Sequence, residues 1–88
     1  MPYVSKERRA KIDPTLNPLI ELLLKVPVDQ VDGELNYVVT RILNALYPPR
    51  YFNYNRAVGV LECIKQEFYR RRVAPYEDKK IKEHGDII

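Results

Sequence analysis

Leu35, Val38, Val39, Ile42, Leu43 and Leu46 recur at helical spacing, and Pro48-Pro49 ends the run. An apolar stripe of this period makes an amphipathic helix, and two prolines, which lack N–H donors, forbid its continuation. Asp32 stands where an N-cap acceptor is wanted, and Glu34 falls in the first turn, where the helix dipole favours an acid. The pattern predicts a helix over about 33–47.

The same punctuation organises the rest of the chain. Asp13 followed by Pro14 reads as a cap and a first helical residue that needs no donor. Leu16, Leu19, Ile20 and Leu23 then predict a helix over about 14–25, stopped before Pro27. Pro18 either kinks this helix or is its first residue after Asn17. Ser5 is placed to cap a short basic turn over 6–11, inside an N-terminal segment (1–12) expected to fray. Beyond a loop at 50–53, Ala57, Val58, Val60, Leu61, Ile64 and Phe68 predict a third helix over about 54–73, with Asn53 or Asn55 as its N-cap. Gly59 costs about 1 kcal/mol relative to Ala in that helix, which reads as allowance for close helix approach. Pro75 breaks or kinks the chain, and a short helix over about 76–84 stops at Gly85. No strand-length alternation occurs. The expectation is an all-α fold: a single domain, 1–88, forming a compact bundle of three main helices plus a short C-terminal helix.

At 88 residues the chain supports one small core, and an apolar fraction of 45% argues against wholesale disorder. The longest apolar cluster, 19–24, is interrupted by Glu21 and falls far short of the ~18 residues a membrane span needs. The N-terminal MPYVSKERRAK carries charge with no apolar stretch behind it, so no signal peptide is expected. Cys63, the one cysteine, excludes an internal disulfide and any multi-cysteine zinc site. A cytoplasmic location is expected (the host cytoplasm if phage-encoded). So is a homo-oligomer, because so short a chain gains stability by burying area against a partner.

Net charge is +3, unevenly distributed. Between Arg41 and Tyr76 seven basic residues face two acids, Glu62 and Glu67, so this stretch is +5 and the remainder −2. Such a local field suits an anionic partner, a nucleotide-like small molecule or nucleic acid, or else is an ordinary solvated basic face.

The outer face of the second helix carries Asn36, Tyr37, Thr40, Arg41 and Asn44 where Glu and Lys are usual. Tyr37 and Arg41, one turn apart, can stack as planar groups do at ligand sites; alternatively Tyr37 covers a neighbouring helix and Arg41 is solvated. A second cluster, Tyr54, Asn55 and Arg56 after Phe52-Asn53, joins an arginine to a helix N-terminus, a ready anion site. Capping accounts for one of its asparagines. The third cluster is Tyr69 with Arg70, Arg71 and Arg72. Consecutive helical arginines point 100° apart and cannot share one site; one is expected to pair with Glu67, and Tyr76-Glu77-Asp78 is placed to fold back onto another. The candidate ligand-binding residues are therefore Asn36, Tyr37, Thr40, Arg41, Tyr54, Asn55, Arg56, Tyr69 and Arg70.

Catalysis has little support. His84 lies near the end beside Gly85, Cys63 reads as a small core residue, and Glu62 has no second carboxylate at a useful spacing. No phosphate-binding glycine loop is present, and no catalytic residue, metal site or cofactor is expected.

With these residues in view, the chain resembles a small uncharacterised family of phages and of bacterial or environmental genomes. The resemblance rests on GELNYVVTRIL (33–43), YFNYNRAVGVLECIKQEFYRR (51–71) and APYEDKKIKEHGD (74–86), together about half of the chain. The N-terminal helix matches only in pattern. Where the family typically ends in an Asn-Gly-Asp turn, this chain has His84-Gly85-Asp86. The resemblance implies a compact, stand-alone, phage-like accessory protein. By analogy of type it suggests a non-enzymatic sponge that sequesters a host nucleotide immune signal. The competing classes are a nucleic-acid-binding accessory protein and a protein-interaction module.

Overall fold

The computed structural model describes residues 3–88. They form α1 (Lys6–Leu24), α2 (Asp32–Leu46), α3 (Tyr51–Phe68), a π-helical turn (Tyr69–Val73) and α4 (Ala74–His84). The fold is all-α, three main helices and a C-terminal one, with no strand among the described residues. The chain divides into two units, Met1–Tyr47 and Pro48–Ile88, and the division falls at Pro48.

The first unit corrects the sequence reading of its start. α1 does not begin at Pro14. It begins at Lys6, because Ser5 is extended (φ −62°, ψ 157°) and its Oγ accepts from Arg8 N at 3.2 Å. That cap, a further bond from Arg9 N to Ser5 O at 2.9 Å and one from Arg9 Nε to Val4 O at 2.8 Å nucleate the helix eight residues early. The segment expected to fray is therefore helical from Lys6; its first two residues lie outside those described. Pro14 and Pro18 both sit inside the helix. They remove the N–H groups that would have bonded the carbonyls of Ala10 and Pro14.

Lys25 N and Val26 N close α1 with tighter bonds to Leu22 O (3.3 Å) and Leu23 O (3.1 Å) ahead of Pro27. α2 starts at Asp32 with Val31 as its cap and no side-chain cap bond. Asp32 is thus a first-turn acid beside Glu34 and not the cap itself, placed where the dipole rewards both. Tyr47 N still reaches Leu43 O at 3.0 Å before the prolines end the helix.

In the second unit α3 starts at Tyr51, three residues before the expected boundary, and neither Asn53 nor Asn55 caps it. Asn53 does other work. Its Nδ2 donates to Pro48 O at 3.1 Å, and Arg50 N donates to the same carbonyl at 2.8 Å, so the loop is tied to the first turn of the helix.

Pro75 neither breaks the helix nor simply kinks it. The turn before it widens so that Ala74 N donates to Tyr69 O, five residues back. The carbonyl of Arg71, whose α-helical donor would be the N–H that Pro75 lacks, accepts from Arg72 Nη1 at 3.5 Å. Helix then resumes to His84, and Gly85, at φ 88°, stops it with Gly85 N on Ile81 O at 2.8 Å.

Burial is sparse. Ala57 is the one residue classed as buried among those described. Cys63, expected in the core, is exposed, and a Cβ on Gly59 would meet nothing within 4 Å, so neither close packing at Gly59 nor a core thiol is found in the chain by itself. No helix among the described residues is long and apolar enough to cross a membrane.

Candidate functional site

The sequence-predicted residues fall into three groups on two units. The first is the outer face of α2. At 100° per residue, Asn36, Tyr37, Thr40, Arg41 and Asn44 span one face, opposite Leu35, Val39, Ile42 and Leu46. Two side-chain bonds one turn apart order this face. Thr40 Oγ1 donates to Asn36 Oδ1 at 3.0 Å, and Arg41 Nη1 donates to Tyr37 Oη at 2.8 Å. The Arg41 guanidinium also lies over the Tyr37 ring, 5.7 Å from its centroid. No carboxylate pairs with Arg41 among the described residues.

Tyr37 forms part of the wall of a cavity of about 410 Å³ within the first unit, with Leu19, Leu22 and Leu23 of α1 and Gly33, Glu34 and Val38 of α2. The ring nevertheless stays 62% exposed. Tyr37 thus shares a cavity wall with residues of α1 and also presents an exposed planar surface. Glu34, the one acid on this wall, lies seven residues from Arg41, about 10 Å along the helix. The Arg41 end of this face is therefore its positive end.

The second group does not converge. Tyr54 and Arg56 are two residues, hence 200°, apart on α3. Tyr54 turns to the side of Leu61 and Phe68, whereas Arg56 stacks on Phe52, 5.8 Å from the ring centroid. Asn55 lies between them and makes no side-chain hydrogen bond among the described residues. The pair Phe52/Arg56 at i, i+4 is the unit that adjacency in sequence had hidden; the i, i+4 rule was the signal that identifies it.

The third group is structural in large part. Glu67 takes both Arg70 (3.0 Å) and Arg71 (3.4 Å), as the spacing suggested. The residue that folds back across the π turn is Glu77, and its partner is a phenol and not an arginine: Tyr69 Oη donates to Glu77 Oε1. This bond, and the charge of the carboxylate behind it, push the Tyr69 pKa up. On α3, Gln66 and Lys65 hold the Glu62 carboxyl below its ordinary pKa through hydrogen bonds and the lysine charge.

His84 is exposed beside Glu83, 3.8 Å away, and no group of three potential metal ligands converges among the described residues.

The chain belongs to the family described as Domain of unknown function (DUF6899), which matches residues 1–87. The match takes in α1, which the motif resemblance had reached only in pattern. No curated protein and no solved structure matches the chain.

Proposed function

We propose that this member of the DUF6899 family is a non-enzymatic binding protein whose α2 face takes an anionic, nucleotide-like small molecule. The observation that carries the reading is the Tyr37–Arg41 pair: a guanidinium held over an exposed ring, with no carboxylate paired to it among the described residues. A planar base stacks on Tyr37, the Arg41 fork meets phosphate, and Asn36, Thr40 and Asn44 supply donors and acceptors for base or sugar edges. The neighbouring cavity supplies an apolar wall. Capture without chemistry is sequestration. In a phage, such a protein would be a counter-defence sponge for a host immune signal.

A protein-interaction module is the second reading, favoured by a separate observation. Large apolar side chains such as Leu24, Leu46, Val58 and Phe68 are more than half exposed.

The test is thermal shift and calorimetry against cyclic dinucleotides, ADP-ribose derivatives and short oligonucleotides. The proposal expects saturable binding of a nucleotide that is recovered intact after the protein is denatured. Silence toward every nucleotide, with a tight oligonucleotide complex whose affinity falls steeply with salt, would replace it with nucleic-acid binding.

A further inference from the structure

We infer that the first turns of α3 carry a second binding surface, a stacking platform for single-stranded nucleic acid built from Tyr51, Phe52, Asn55 and Arg56. These residues fall into two neighbouring rows at i, i+4: Tyr51 with Asn55, and Phe52 with Arg56. At 100° per residue the rows span about 140° of the helix, so both rings and both polar groups share one face. Tyr51 is 80% exposed and Phe52 68%. The Arg56 guanidinium lies 5.8 Å from the Phe52 ring centroid. Arg56 makes no hydrogen bond and no ion pair among the described residues, so its fork of donors is open to a phosphate.

Charge indicates what such a surface takes. All of the net charge of +3 lies in Pro48–Ile88, where nine basic residues meet six acids, whereas in Met1–Tyr47 six meet six. From Pro48 to Leu61 there is no acid, and the charged residues are Arg50 and Arg56. The first acids beyond are already engaged: Glu62 by Lys65 (3.2 Å) and Gln66 (3.1 Å), Glu67 by Arg70 and Arg71. The complement is therefore an anion that also brings planar groups to two adjacent rings.

A strand of unpaired bases joined by phosphates supplies both. In a duplex the bases are stacked on one another and closed to a protein ring, so the strand must be single. Bases on aromatic rings and arginine on the backbone hold single strands without reading their sequence. The platform is the open side of one helix, which suits a polymer better than a small molecule that needs walls around it. It lies wholly within the second unit and shares no residue with the α2 face.

Fluorescence anisotropy of a labelled oligothymidylate, titrated with the full chain over a range of salt concentrations, tests the inference. The expected result is binding that weakens as salt rises. Phe52→Ala should weaken it on the order of tenfold, within the range one lost base–ring stack makes, at unchanged salt slope. Arg56→Gln should weaken it and lower the slope of log K against log salt by about 0.7, the share of one phosphate on a single strand. Lys79→Gln removes the same charge from α4 and should leave affinity and slope nearly unchanged; circular dichroism checks that each variant is folded. A strand that does not bind, or that binds both α3 variants as tightly as the wild type, overturns the inference. An equal loss in Lys79→Gln overturns it too, because binding would then follow net charge alone. So does displacement of the strand by thymidine monophosphate at equal nucleotide concentration, which would give the platform to a small ligand. A complex that persists in Arg41→Ala and is lost in Phe52→Ala belongs to α3 and leaves the α2 reading to its own test.

Discussion

Arg41 and Tyr37 are bonded to each other on an exposed helix face, and exposed pairs of this kind contribute little to stability. A cation over a ring at such a site is worth about 0.5–1 kcal/mol. Replacing Arg41 by Ala should therefore leave the melting temperature nearly unchanged, and calorimetric denaturation checks this. Ligand affinity should fall at least tenfold, since a charge-assisted bond to phosphate carries about 1.5–3 kcal/mol. Tyr69 makes a second residue-scale prediction. Glu77 raises its pKa, so the bond it makes is fully present below the phenol's unfolded pKa and is lost as pH rises through the higher folded value. In Glu77→Gln the ultraviolet tyrosinate titration should be complete at lower pH than in the wild type, because Tyr69 is the phenol that Glu77 holds up. A titration curve identical to the wild type would show that the two groups are not coupled.

At the scale of elements, prolines decide the boundaries, and they also mark where the sequence is ambiguous. Pro48-Pro49 stops α2 and Gly85 stops α4, because missing donors and a positive φ act locally whatever the surroundings. Pro14 is different, since it fits the first position of a helix and can also be carried inside one. The Ser5 cap decides in favour of the second. Pro14→Ala should accordingly raise stability, by up to the ~3 kcal/mol that an interior proline costs, as read by chemical denaturation. A helix that began at Pro14 would gain nothing or lose. Gly59→Ala should also stabilise, by about 0.5–1 kcal/mol, because a Cβ there meets no atom of the chain; a loss instead would mark close approach by another molecule. The π turn had no signature in composition, because it is an answer to Pro75 that depends on where the freed Arg71 carbonyl finds a donor.

For the molecule as a whole, helix number and amphipathic faces were legible, since both follow from periodicity. Burial was not: stripes at Leu35–Leu46 or Ala57–Phe68 announce that something covers them without saying what. The candidate site was legible to the same degree. Asn36, Tyr37, Thr40, Arg41 and Asn44 lie on one face of α2 because they share one helical period. The Tyr54–Arg56 group dissolved because neighbours in sequence diverge by 100° on a helix, and Tyr69 found Glu77 across a turn that the sequence did not foretell. What remains is one exposed face built around Tyr37 and Arg41, with Glu34 two turns from the arginine. Titration calorimetry of wild type and Arg41→Ala side by side, with a cyclic dinucleotide and an ADP-ribose derivative, tests that face most directly. Saturable binding by the wild type, lost in a variant that melts at the same temperature, is the predicted result; equal binding by both proteins, or by neither, would contradict it.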